Sequence, residues 1–257
     1  MTAKSDHLAI RSFLFKRLAP LSPGLHAHFG LAARRSYSEY HFHWLPILLS
    51  EVATVARHFP IGITPTRQPM LAAIVGLHDR QSLFIDRMGA WTGAYLPLYL
   101  QQMPFHIVHV RDAATGARRP TLCLDVDSAM VDERFPEKIV EHERLSATAA
   151  RIVAAAEAFD QGAMAAAAFA QAAERAGLTL PLSLIPESAD CLALRGLSAV
   201  SSARLRDASA QALSPFTSSQ LLPVLQACTQ SLDNFDILRR LQEERYSEQE
   251  AHMRADL

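Results

Sequence analysis

At 257 residues the chain is long enough to bury a substantial core within one domain. Its 25 basic and 26 acidic side chains leave a formal net charge of -1, which argues against a global field that would gather nucleic acid or an anionic membrane. Cys123, Cys191 and Cys228 stand far apart without C-x-x-C spacing, so neither a disulfide framework nor a structural zinc site is expected, and buried free thiols are.

The opening stretch, MTAKSDHLAIRSFLFKRLAP, has no apolar run before Lys16-Arg17 long enough for a signal-peptide core, which predicts a cytoplasmic start. Up to about Tyr40, Pro20, Pro23, Gly24 and Gly30 alternate with short apolar pieces, the pattern of an extended arm laid over a domain. From Leu45 the residues Leu48, Val52, Val55 and Phe59 follow at spacings of three and four, with Pro46 and Pro60 at the boundaries; this predicts an amphipathic helix. The apolar run Met70 to Leu77, the polar tetrad His78-Asp79-Arg80-Gln81 and the run Leu83 to Ile85 predict a hairpin. Arg87-Met88-Gly89 forms the next turn, and Trp91 and Tyr95 bracket Gly93, where another backbone can approach. Pro97 suits the first turn of a short helix ending at Met103-Pro104, and alternation from His106 to Val110 predicts a strand.

RDAATGARRP, Arg111 to Pro120, reads as a loop to a further strand in which Leu122, Leu124 and Val126 face away from Cys123, Asp125 and Asp127. Short connections between these strands favour a curved, largely antiparallel sheet over repeated βαβ units. Glu137 to Ala176 is rich in alanine and charge and predicts two helices, or one interrupted near Gly162, with Gly177 as a left-handed cap. Within it the Ala-rich run Ala163 to Ala173 is too short and weakly apolar for a transmembrane segment. Leu180 to Ile185 and Cys191 to Leu197 predict a small second hairpin. Leu221, Leu225, Cys228, Leu232, Phe235, Leu238 and Leu241 form a helical apolar stripe between Ser218 and Leu241, and polar Gln242 to Leu257 is expected to fray. The expected class is α+β: a curved, largely antiparallel sheet with an N-terminal arm and a helical C-terminal part.

Two constellations invite chemistry. In His41-Phe42-His43 both imidazoles point the same way on an extended strand, so with a third ligand from His58, Asp125 or Asp127, foremost Asp125, they define an alternative reading as a metal-assisted enzyme. Against it stands a plain reading of two histidines beside Trp44 on a partly exposed strand; His26-Ala27-His28 has the same ambiguity. Asp125-Val126-Asp127 places two carboxylates on one sheet face, where repulsion raises one pKa, although solvated faces carry such pairs too. Asp79 and Asp86 occupy turn positions where aspartate bonds its own backbone. The chain has no G-x-S-x-G elbow, phosphate-binding glycine loop or H-E-x-x-H helix, so no catalytic residue and no cofactor is assigned. Trp91, Tyr95 and Tyr99 either line a groove for an extended chain or close one end of the sheet as core.

GLHDRQSLFID followed by GAWTGAYLPLYLQQMPF resembles the core signature of the SapC family, named after a bacterial surface-layer-associated protein. FKRLAPLSPGLHAHFGL and EVATVARHFPIGI upstream, and LCLDV and SLDNFDILRRL downstream, are similar to further family segments in the family's order. Arg80 departs from the pattern by standing where members commonly have glycine after the aspartate, and Arg87-Met88 replaces a more acidic turn. The resemblance implies a single SapC-like domain over residues 1–257, mainly strand-rich over 13–135 and mainly helical over 136–241, with a polar tail over 242–257. It also implies a surface-layer or envelope-related system, with surface association; the absence of catalytic signatures adds the expectation of a non-enzymatic role, and the aromatic residues from Trp91 to Tyr99 that of a protein or peptide partner. Asp79, Trp91, Tyr95, Tyr99 and His58 are the candidate binding residues; no nucleic-acid partner is expected, and oligomeric state is left open.

Overall fold

A computed structural model describes residues 14–111, 116–184, 194 and 196–255. Its strands are β1 (Leu18–Pro20), β2 (Gly30–Leu31), β3 (Trp44–Pro46), β4 (Ile61–Ile63), β5 (Leu71–Ile74), β6 (Phe105–Arg111), β7 (Arg118–Asp125), β8 (Val131–Asp132), β9 (Glu137–Lys138), β10 (Val140–Glu141), β11 (Arg144–Leu145), β12 (Thr179–Pro181) and β13 (Ser198–Val200). The helices are α1 (Pro23–His26), α2 (Val52–Val55), α3 (Leu98–Gln101), α4 (Ala147–Arg175), α5 (Ser202–Arg206), α6 (Ala210–Ser218), α7 (Leu222–Gln230) and α8 (Phe235–Ala255). All pairing between these strands is antiparallel, which together with the C-terminal helices makes the fold α+β. No helix among the described residues is long and apolar enough to cross a membrane. The chain forms two compact units.

The first unit comprises Met1–Tyr40, Arg87–Trp91 and Leu98–Gly162. Its main sheet has the order β1-β7-β6, with β6 and β7 joined as the long hairpin that the alternating sequence predicts, in register from Phe105 opposite Leu124 to Arg111 opposite Arg118. Phe105 and Leu124 bury against Ile152 and Val153 of α4, and Ile139 and Val140 complete that core. The N-terminal arm is tied down by polar bonds. Buried Asp125 accepts the N–H of Lys16 at 3.0 Å and of Arg17 at 2.8 Å, while the Arg17 guanidinium forks onto exposed Asp127 at 2.8 and 2.7 Å. Gly30 in β2 lies so close to the Phe135 carbonyl that no side chain fits there.

The expected helix over Glu137 to Ala176 starts later. Residues 137–145 instead form β9, β10 and β11, because Val140-Glu141 folds back on Arg144-Leu145 through His142-Glu143, both at positive φ as in a two-residue hairpin turn. From Ala147 a single helix of 29 residues then passes Gly162 without a break. Buried Ile152, Ala156, Phe159, Ala163, Ala166, Ala170 and Ala173 keep alternating spacings of four and three on both sides of the glycine, so packing holds the helix in phase where propensity alone would let it break.

The second unit comprises His41–Asp86, Thr92–Pro97 and Ala163–Leu257. Its sheet has the order β12-β13-β4-β5-β3, and every residue of β5 is buried. The amphipathic helix expected over Leu45 to Phe59 is reduced to a 3-10 turn and α2. Trp44–Pro46 pairs with β5 instead, and the Glu51 carboxylate turns the chain by accepting the Leu48 N–H at 2.9 Å. The expected hairpin after β5 is a tight turn, with His78 bridged to Gln81 and Leu83 donating to the Val75 carbonyl at 2.8 Å; the strand partners of β5 are β4 and β3. The hairpin expected between Leu180–Ile185 and Cys191–Leu197 is displaced: β12 (Thr179–Pro181) pairs with β13, whose residues Ser198–Val200 begin just past Leu197, and Leu182–Leu184 form a 3-10 turn whose Leu182 N–H donates to the Leu197 carbonyl at 2.9 Å; residues 185–193 and 195, Ile185 and Cys191 among them, lie outside the described residues. Gly177 has the left-handed φ of +69° expected after α4.

The C-terminal stripe buries Leu225, Cys228, Leu232, Phe235 and Leu238 across α7, a 3-10 turn and the start of α8. Ser231 fixes it to the sheet by accepting the Ile61 N–H at 2.9 Å, and Asn234 donates to the Ala56 carbonyl at 2.8 Å. The polar stretch expected to fray continues α8 as far as Ala255. Arg245 explains part of this: its guanidinium donates to the carbonyls of Ser82, Leu83 and Ile85 at 2.9, 3.4 and 3.0 Å.

Candidate functional site

Strand β6 lies at the end of its sheet. The Asp125 N–H donates to the Pro104 carbonyl at 2.9 Å, which makes Pro104–Asp125 a hydrogen-bonded position. With a period of two, His106, Val108 and Val110 therefore aim their backbone groups at β7, while Ile107, His109 and Arg111 aim theirs away from the sheet. Among the described residues no backbone group bonds the outward N–H or C=O of Ile107 or His109.

Side chains hold this edge in place. His109 Nε2 lies 2.8 and 3.0 Å from the two oxygens of Asp160, which accept its N–H and pin β6 to α4. His106 is buried and stacks on Phe15 with ring centroids 4.7 Å apart. At the far end of the hairpin Arg111, Arg118 and Arg119 are all exposed, so the edge leads toward a cationic tip. Strand alternation announces β6 in the sequence, but which edge stays unpaired follows only from the sheet order.

The candidate binding residues divide between the units. In the first, Tyr99 is fully buried, with its ring edge-on to Phe159 at 5.2 Å and to Phe15 at 6.0 Å, so it serves the core and offers no surface to a partner. Trp91 is half-buried. In the second, half-buried Tyr95 donates its hydroxyl to Glu51 at 3.0 Å; burial, followed by the neighbouring carboxylate, holds that phenol above its ordinary value. His58 is half-buried beside Phe59. Asp79 is exposed, and its Oδ1 lies 3.4 Å from His43 Nδ1, the atom that also accepts the Arg80 N–H at 3.0 Å.

The alternative metal ligands also divide between the units, His41 and His43 in the second and Asp125 in the first. His41 is exposed and His43 is occupied by the turn at Asp79-Arg80, while both oxygens of Asp125 accept backbone N–H groups. Among the described residues no group of three or more His, Cys, Asp and Glu side chains is arranged to hold an ion. Asp125 and Asp127 do not act as a pair either: Asp125 is buried on its two amides and Asp127 is exposed on Arg17, which holds its carboxyl below the usual range.

Fold and edge define an α+β protein of short antiparallel sheets with an open terminal strand. The family model for SapC matches residues 21–238, and the chain belongs to the SapC family. No curated protein and no solved structure matches it.

Proposed function

We propose that this SapC-family chain acts without catalysis in a surface-layer or envelope-related system, binding an extended acidic segment of a protein partner as an added strand along β6. The observation that carries the reading is the outer edge of β6, where Ile107 and His109 present backbone donors and acceptors beside the exposed arginines of the hairpin tip. Main-chain pairing supplies affinity in such a complex, and the cationic tip supplies steering and a preference for Asp and Glu. The absence from the sequence of the familiar catalytic signatures is consistent with a binding role.

The test is selection of binders from a library of extended peptides, followed by amide hydrogen exchange and by binding to Ile107→Pro. Proline removes an outward N–H at an edge position that tolerates it. Acidic binders that slow exchange at Ile107 and His109, and that bind Ile107→Pro at least tenfold more weakly, are expected. Binders that leave both amides exchanging at the free rate and tolerate the proline would overturn the reading.

A further inference from the structure

We propose that a cavity at the N-terminal end of α4 binds a small α-carboxylate carrying an apolar side chain, either a free amino acid or the last residue of a peptide. The cavity lies wholly within the first unit and has a volume of about 310 Å³. That is near the lower limit of pockets that enclose small ligands, enough for one side chain and its head group. Leu31, Met103, Met130 and Ile152 form an apolar floor, and all four are buried.

The mouth has the opposite chemistry. Arg35 lines it with its guanidinium anchored on the Gln101 carbonyl at 2.9 Å and bonded to the Tyr37 hydroxyl, so the fork is held in place, and its five N–H groups leave others to offer. Arg151 lines it one turn into α4, its Nη2 3.4 Å from the Thr148 hydroxyl. Neither arginine pairs with a carboxylate among the described residues. Two guanidinium groups that form no ion pair, set against the single carboxylate of Glu137 in the same lining, leave the mouth net cationic beside the positive end of a 29-residue helix and favour a planar carboxylate over a neutral head group. Glu137 also lines the cavity and forms no ion pair among the described residues, which gives the free ammonium of an amino acid a partner.

The test uses methyl-labelled methionine and nuclear magnetic resonance on the full chain. Met103 and Met130 report on the cavity, and exposed Met88, Met164 and Met253 serve as controls. Titration with leucine and with N-acetyl-leucine should shift the first two methyl signals saturably and leave the controls in place. Leucinamide, which lacks the carboxylate, should not shift them, and Arg35→Gln/Arg151→Gln should weaken binding at least tenfold. Tighter binding of leucine assigns the site to a free amino acid read by Glu137; tighter binding of N-acetyl-leucine assigns it to a peptide C-terminus. No shift with either acid, or equal shifts with leucinamide, overturns the proposal even if the double variant fails to fold. None of these probes has a chain to add to β6, so the result is independent of the strand-edge reading.

Discussion

Arg80 carries a side chain where the backbone favours none. Its φ of +58° lies in the left-handed region, and the resemblance to SapC proteins puts glycine at this position. Arg80→Gly should therefore raise stability by about 1 kcal/mol, measured by urea unfolding, since the N–H that donates to His43 is retained. Glu39 gives a prediction with a pH signature. Partial burial pushes its carboxyl up, but the Lys16 ammonium at 2.6 Å and the Ala129 N–H at 2.9 Å outweigh this and leave it below its ordinary value of 4.5. A carboxyl lowered on folding adds stability above its unfolded pKa and loses it as the pH falls through the folded value. Glu39→Gln should accordingly be less stable than the parent at pH 7, with the gap closing as the pH falls below 4.5 and through the lowered folded value; an equal gap at pH 7 and in acid would refute this assignment.

Elements were legible where one local pattern governed them and misread where a distant partner decided. Alternation in HIVHV gives β6, and Gly177 marks the end of α4, since both signals are local. Leu45 to Phe59 has helical periodicity, but Trp44–Pro46 gains more by pairing with β5, and periodicity is silent about a partner almost thirty residues away. The polar end of α8 shows the same effect. No apolar stripe announces it, and Arg245 orders it through three carbonyls of the Ser82–Ile85 turn. Arg245→Ala should cost about 1–3 kcal/mol and speed amide exchange from residue 242 onward, because three buried or partly buried acceptors lose a charged donor. Unchanged exchange would show that α8 persists without this anchor.

At the scale of the molecule, each unit contains a buried thiol that reports on its own opening. Burial pushes Cys228 up to about 12, and Cys123 is also raised by burial. Thiolate is the reactive form, so neither should react with a thiol reagent at pH 8 until its surroundings open. In a Cys191→Ser background, Cys228, fully buried on α7, should label only at the rate of unfolding of the second unit. Cys123, on the β7 strand of a three-stranded sheet, should label faster through local opening. Mass spectrometry of the labelled chain over a urea series checks the order.

The sequence alone determined the α+β class, the antiparallel β6–β7 hairpin, the left-handed close of α4 and the SapC resemblance, because these rest on period, turn chemistry and residue order. Tertiary structure decided what each prominent residue is for. Tyr99 went to the core when rings from three separate segments met, and Asp125 became an anchor for the N-terminal arm once its two oxygens found amides more than a hundred positions away. The open edge of β6 and the arginines around the cavity have no local signal at all. An edge exists only by sheet order and a cavity only by packing, and both are properties of which segments meet rather than of any segment itself.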